Sequence, residues 1–344
     1  MVYLDNAATT VCKFPASTYD DIWGNANTPY KFGLNARQAA DECRERVKKC
    51  LGVKGGKVIF CSNASEAAKI LLDRFYVENF KTYCWLYEHD SVYDNVETHG
   101  YSKTTHHSNR TAIFQQWVNP VTGTIFDIPS IRQAIGNDCF LCMDATAGIG
   151  KRILTQSIVS SVDAIWFSGH KFNGPKTGGI LWVSDRLSKA LYLSDDSRNE
   201  YGLKHGTLDV PSFIATSCAL EYTLSNSIDN VWHYAEFNNY LSNRAGNRVA
   251  GFKQYANDQL NATVLIDTGC NADALVQYLS SKGIYVGLAH SACSADANYR
   301  VTQAFGISKE TAERCIRVSF GEDNTFEDID ALVDGIKEFK ERFV

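Results

Sequence analysis

Lys171 lies in the segment Phe167-Ser168-Gly169-His170-Lys171-Phe172-Asn173-Gly174-Pro175-Lys176, between a run that reads as a strand and a glycine-bearing turn. An amine held that way can form a Schiff base with an aldehyde cofactor. Asp144 closes another apolar run, Phe140-Leu141-Cys142-Met143. A carboxylate at the C-terminal end of a strand can pair with a pyridinium nitrogen and keep the ring an electron sink. Ser62-Asn63-Ala64-Ser65-Glu66 falls between a predicted strand and a predicted helix. Free backbone N–H groups and the helix dipole favour a phosphate there, and the Ser65 hydroxyl can add to them. His89, in Tyr87-Glu88-His89-Asp90, follows a strand candidate, where an imidazole could stack on a ring and relay protons. Cys293, in His290-Ser291-Ala292-Cys293-Ser294-Ala295, sits in a polar, small-residue loop of the kind that carries reactive thiols. The first four have ordinary alternatives: a surface lysine, a turn aspartate, a helix N-cap, a surface histidine. Taken together they fit one pyridoxal 5'-phosphate site.

The elements that must position these residues follow from the apolar pattern. Short apolar runs alternate with amphipathic helical stretches, which predicts an α/β protein with a mostly parallel sheet. Strands are expected at residues 58–61, 84–87, 112–115, 140–143, 164–167 and 180–183. A helix is expected with Asn35 as its cap, the apolar side Ala36, Ala39, Ala40, Cys43, Val47 and Cys50, and Gly52 as its stop. Another begins at Ser65. After about residue 225 the pattern changes to strands at 264–267, 284–286 and 316–320 and a helix over 271–281 closed by Gly283. A last helix carries a Thr325/Asp328 capping box and the stripe Ile329, Leu332, Val333, Ile336, Phe339 and Phe343. The expected division is a large cofactor-binding domain over 13–228 and a smaller α+β domain from 1–12 and 229–344, carrying the Cys293 loop.

Composition excludes several classes. The chain has 344 residues, 44% of them hydrophobic, with a formal net charge of -5. No basic run marks a nucleic-acid surface, and no apolar stretch reaches the length of a membrane span. Nothing at Met1-Val2-Tyr3-Leu4-Asp5 resembles a signal peptide. Eleven cysteines, odd in number and irregular in spacing, argue against a disulfide framework and for a reducing cytoplasm. Cys139-Phe140-Leu141-Cys142 has CxxC spacing but lies in a run that reads as a buried strand, with no second pair to complete a metal set.

Nearly end to end, the chain resembles the cysteine desulfurases, class V aminotransferase relatives with the type I fold of pyridoxal-phosphate enzymes. The resemblance rests on Tyr3-Leu4-Asp5-Asn6-Ala7-Ala8-Thr9-Thr10, Gly24-Asn25-Ala26-Asn27, Phe32-Gly33, Ser62 to Glu66, Glu88-His89 and Asp144-Ala145-Thr146. It continues through Ser168-Gly169-His170-Lys171, Gly206-Thr207-Leu208, Ser291-Ala292-Cys293 and Ile316-Arg317-Val318-Ser319-Phe320-Gly321. It implies that Lys171 holds the cofactor and moves the Cα proton of L-cysteine, with Asp144 at the ring nitrogen and His89 stacked on the ring. It implies that Ala64, Ser65, Ser168 and His170 hold the phosphate, and that Thr207 reaches the phosphate of the other subunit of a homodimer. Arg317 would bind the substrate carboxylate, a planar anion suited to its fork of donors. Cys293 would take the sulfur as a persulfide, with L-alanine released, and pass it to a protein acceptor in iron–sulfur assembly, tRNA thiolation or DNA phosphorothioation.

The chain departs from that pattern at named positions. Two asparagines are usual where it has Asn119-Pro120, so the contact of the second is lost or passes to Asn119 at the substrate. A glutamine that bonds the cofactor's phenolic oxygen is replaced by Ala147, and the phosphate turn has Asn63 and Ser65 for the usual glycine and threonine. The loop after Cys293 is short and no C-terminal tail follows the last helix, from which either an acceptor that comes to a shallow site or a more fixed cysteine is expected. The alternatives are selenocysteine lyase or another class V lyase or aminotransferase that does not use Cys293, and a non-enzymatic partner protein that keeps the fold.

Overall fold

The structure, a computed structural model, describes residues 1–17, 22–96, 98–99, 110–194, 199–245, 258–290 and 299–343. The strands in chain order are β1 (Val2–Leu4), β2 (Lys57–Cys61), β3 (Lys81–Cys84), β4 (Thr98–His99), β5 (Thr111–Gln116), β6 (Thr124–Ile125) and β7 (Phe140–Asp144). They continue with β8 (Ala164–Ser168), β9 (Gly179–Val183), β10 (Asp258–Gln259), β11 (Thr263–Asp267), β12 (Ile284–Leu288) and β13 (Cys315–Ser319).

The chain divides into two units: Val11–Trp117 with Asp127–Asn226, and Met1–Thr10 with Val118–Phe126 and Ser227–Val344. The first holds a seven-stranded sheet in the order β2-β9-β8-β7-β5-β3-β4. Its neighbours are parallel except at β9, which runs antiparallel to both β2 and β8. Every residue of β5, β7, β8 and β9 is buried. That explains why β7, β8 and β9 read as apolar runs: the sheet is covered on both faces. The helix Ala64–Val77 covers one face with Ala67, Ala68, Leu71, Leu72 and Phe75, in one core cluster with Phe114, Trp166 and Leu181.

The second unit has a four-stranded sheet, β1-β12-β13-β11, with β1 parallel to β12 and the other pairs antiparallel. The opening motif is pinned to the β13 motif. Asn6 donates its side-chain amide to the Ser319 carbonyl at 3.2 Å, and the Ala7 N–H donates to the Ser319 hydroxyl at 2.7 Å. The last helix, Phe326–Phe343, starts with the expected capping box: the Asp328 carboxylate accepts from the Thr325 N–H at 3.2 Å, and the Asp328 N–H donates to the Thr325 hydroxyl at 3.3 Å.

Several boundaries differ from expectation. Val118–Phe126 belongs with the terminal unit, because β6 pairs antiparallel with β10 and the Leu260 N–H donates to the Gly123 carbonyl at 2.7 Å. The helix expected from Asn35 begins at Lys31, with Gly52 in the left-handed region (φ 67) as its stop. The strand expected at 84–87 lies at Lys81–Cys84 instead, and the aromatic run after it is a turn. The reason is Glu88, fully buried, whose carboxylate accepts from the Gln116 N–H at 2.8 Å and draws the turn onto the end of β5. Phe343, expected on the apolar stripe, is 64% exposed at the last turn. Among the described residues no helix is long and apolar enough to cross a membrane, and no group of three metal-ligating side chains occurs.

Candidate active site

In the seven-stranded sheet the strand register brings the expected site residues to one edge. Gly179 is the Cα partner of both Cys61 and Ser168, so the ends of β2 and β8 lie level, one strand apart. Asp144, at the end of β7, faces Trp166 on one side and Gln116 on the other. The turn at Ser62, the segment from Ser168 to Lys171, and Asp144 therefore share the carboxyl-end edge of the sheet, the usual place for a ligand in an open α/β sheet.

Each piece has a local cause. Asn63 caps the helix Ala64–Val77, its side-chain oxygen accepting from the Glu66 N–H at 2.9 Å. That leaves the Ala64 and Ser65 N–H groups without an intrahelical partner, as at every helix start. The turn comes close to β9 because residue 179 is glycine: a Cβ there would stand 2.7 Å from the Asn63 backbone. The Glu66 carboxylate accepts from the Ser62 N–H, from the Ser62 hydroxyl at 2.7 Å and from the Lys204 ammonium at 3.1 Å. Burial works against its ionisation, but those three donors outweigh it and hold the carboxyl below its ordinary range.

Asp144 is 8% exposed, and one of its oxygens accepts from the Thr146 N–H at 2.9 Å. The hydroxyls of Ser168 and Thr146 are both buried with no hydrogen-bond partner. Buried polar atoms are nearly always paired, so two orphans at one edge mark a place where something else completes them. Ser168 is the last residue of β8, and His170 and Lys171 lie on the short 3-10 helix Gly169–Lys171 that follows it. His170 is pushed down to about 4 by burial first, and then by the charges of Lys171, Lys151 and Lys176. It is a neutral imidazole among cations. His89 caps the short helix Asp90–Tyr93, its Nδ1 accepting from the Ser91 N–H at 3.1 Å with the Ser91 hydroxyl at 2.8 Å. In the neutral ring the proton is thereby assigned to Nε2. Thr207 is exposed.

The terminal unit carries the other expected residues. Arg317, on β13 and 8% exposed, pairs with Asp5 at 2.8 Å and donates to the Pro120 carbonyl at 3.4 Å. Its Nε is buried with no partner. Gly287 makes room for the pair, since a Cβ there would meet Asp5 and Arg317 at 2.7 and 2.8 Å. Asn119 is buried, and its side-chain oxygen accepts from the N–H groups of Val121 and Thr122, each at 2.9 Å, and from the Thr122 hydroxyl at 3.2 Å. The Asn119 side-chain oxygen thus builds the turn that offers Arg317 the Pro120 carbonyl. Cys293 and its loop lie outside the described residues.

Sequence reasoning missed Thr146, Glu66 as a carboxylate holding the turn, Glu88 and Lys204. Thr146, Glu66 and Glu88 stood in motifs already singled out, and Lys204 did not. Glu88 carried a usable signal, an acidic residue in an apolar aromatic run. Cys139 and Cys142 are both buried in or beside β7, and burial raises both thiols, so neither is poised for redox or metal chemistry.

The residues at the sheet edge fit pyridoxal phosphate: an amine, a buried carboxylate, two orphan hydroxyls and a capped helix start with open N–H groups. Comparison with known proteins agrees. The family model for class-V aminotransferases matches residues 2–83 and 92–332, leaving the His89 turn between the two segments. A cysteine desulfurase IscS of Buchnera aphidicola (subspecies Schizaphis graminum) is 28% identical, over 97% of this chain and 91% of its own. A putative cysteine desulfurase NifS of Bacillus subtilis is 27% identical, over 97% and 93%. Among solved structures, a NifS-like protein superposes with a TM-score of 0.85 at 23% identity, covering 99% of this chain and 100% of that one. One from Rickettsia africae gives 0.84 at 18% identity, covering 99% of each. These likenesses show the fold, an α/β fold of the type I pyridoxal-phosphate enzymes. The chain belongs to the class-V aminotransferase family and is a pyridoxal-phosphate-dependent enzyme.

Proposed function

We propose that the protein is a cysteine desulfurase, which takes the sulfur of L-cysteine, releases L-alanine and leaves a persulfide on Cys293 for a protein acceptor. The observation that carries the reading is the pair of unpartnered hydroxyls, Ser168 and Thr146, at the sheet edge that also holds Asp144 and Lys171. The names of the similar proteins support the choice of substrate.

Bound pyridoxal phosphate supplies an electron sink that acidifies the substrate's Cα–H and loosens its C–S bond. The chain's own residues do the rest. Ser168, His170 and the N–H groups of Ala64 and Ser65 hold the phosphate, and a neutral His170 does so as a hydrogen-bonding group. Asp144 holds a proton at the ring nitrogen, its geometry fixed by the Thr146 N–H. The Lys171 amine is the covalent anchor and then the base that moves the Cα proton. His89 would lie against the cofactor ring and would relay a proton through Nε2, since Nδ1 is engaged by Ser91. Arg317 binds the substrate carboxylate, oriented by Asp5 and the Pro120 carbonyl. Ala147 cannot bond the cofactor's phenolic oxygen, and the buried Thr146 hydroxyl is the donor that stands one residue away. Cys293, as thiolate, attacks the substrate sulfur. A cytoplasmic homodimer, with the exposed Thr207 reaching the other subunit's phosphate, belongs to the same reading.

The test is incubation of the purified protein with sulfur-labelled L-cysteine. Label on Cys293 with stoichiometric alanine is expected, and Cys293→Ala should abolish both while keeping the bound cofactor's absorption band. Turnover that survives Cys293→Ala would replace this reading with a lyase that works without the thiol.

A further inference from the structure

The segment after the helix Asp185–Ala190 contains a run of backbone that few sequences adopt. Asn199, Glu200, Tyr201 and Gly202 have φ of 51, 45, 58 and 82 in succession. Left-handed backbone is disfavoured for residues with a Cβ, and a run of three persists only where the surroundings over-determine it. Here the fastening is the Glu200 side chain, which has no exposed surface. One oxygen meets the Arg44 guanidinium at 2.8 Å and the other accepts from the Phe60 N–H at 3.0 Å.

Those bonds fall on the open edge of β2, the last strand of its sheet. Arg44 Nε also donates to the Val58 carbonyl at 3.3 Å. The ion pair thus takes the place of a missing neighbour strand, satisfying the edge at Val58 and Phe60. β2 runs directly into the Ser62–Glu66 turn, and Lys204, two residues beyond the left-handed run, pairs with Glu66 in that turn at 3.1 Å. Burial raises the Glu200 carboxyl even with Arg44 beside it. An ion pair buried at that cost is a weak source of stability, and its use lies in what it fixes in place.

We propose that Glu200 is a positioning residue for the cofactor's phosphate: tied to Arg44 and the Phe60 N–H, it holds the 199–202 run so that the Lys204 cation stands beside the helix start at Ala64 and Ser65. Lys204 neutralises Glu66, which would otherwise repel a dianion at that helix start. The inference rests on the pyridoxal-phosphate reading of this edge but not on the desulfurase activity.

The test compares apo-protein binding of pyridoxal phosphate with binding of pyridoxal, which lacks the phosphate, in native, Glu200→Ala and Lys204→Gln proteins. Both variants should weaken pyridoxal phosphate about tenfold or more while pyridoxal stays within about twofold of native. Equal weakening of both ligands, or a native preference for the phosphorylated one in Lys204→Gln, overturns the proposal. Lys204 is partly exposed, so Lys204→Gln decides alone if Glu200→Ala does not fold. A native protein that binds neither ligand overturns the cofactor reading itself, a different failure.

Discussion

The two ends of the seven-stranded sheet treat buried polar groups in opposite ways. At the amino end, Asp163 precedes β8 with its side chain 7% exposed, and all its capacity is used. It pairs with Arg132 at 2.5 Å and Arg186 at 3.3 Å and accepts from the Leu141 N–H at 3.0 Å. Arg186 in turn donates to the Asn137 and Cys139 carbonyls and lies over the Phe140 ring, 4.3 Å from its centroid. At the carboxyl end, Ser168 and Thr146 bury hydroxyls that bond nothing, and His170 is held neutral among three lysines. One end is a closed network that serves the fold. The other keeps polar groups waiting, at a cost in stability, for a ligand to complete them.

If that contrast is right, mutations at the two ends should differ in sign as well as size. Asp163→Ala leaves two arginines uncompensated beside a strand N–H. It should cost about 3–5 kcal/mol in denaturant unfolding, while the fraction still folded binds pyridoxal phosphate as native does. Little loss would mean the amino end is not the pinned one.

The pH response should come from the other end. The folded-state pKa of His170 is about 4, below the ordinary 6.5. The unfolded chain therefore binds more protons in that window. The stability that comes from keeping this imidazole neutral is whole above pH 6.5 and is lost as pH falls toward about 4. Apo-protein should show that acid loss, and His170→Asn should flatten it. Bound phosphate, an anion among the lysines, should move the His170 titration back up, measurable by NMR.

The smallest effect is the most telling. Ser168→Ala and Thr146→Val each remove a buried hydroxyl with no partner, so the apo-protein should be unchanged or stabilised by up to about 1 kcal/mol. Both should weaken cofactor binding. A destabilised apo-protein would mean that those hydroxyls already serve the fold.

What could be read from the sequence divides along the same line. Most strands of the large sheet are legible because burial on both faces makes them apolar runs; Asp144 stands out because it ends such a run, and Lys171 because it closely follows one. The capping box at Thr325 and Asp328 is a local pattern and appears as expected. What escaped depends on tertiary partners. The 84–87 run has strand composition, but the buried Glu88 and its bond to Gln116 turn it. Val118–Phe126 joins the terminal unit through a pairing more than a hundred residues away in sequence. The bonds of the Asn119 side-chain oxygen to its own turn are likewise not announced by the sequence. The left-handed run from Asn199 to Gly202 carries only one glycine to announce it.

The amine of Lys171 is the proposed point where the cofactor joins the chain. Borohydride reduction of the cofactor-loaded protein, followed by peptide mapping, reads that point directly. A single pyridoxyl group on Lys171 is the result predicted; a group on Lys151, Lys176 or Lys204, or none at all, would contradict it.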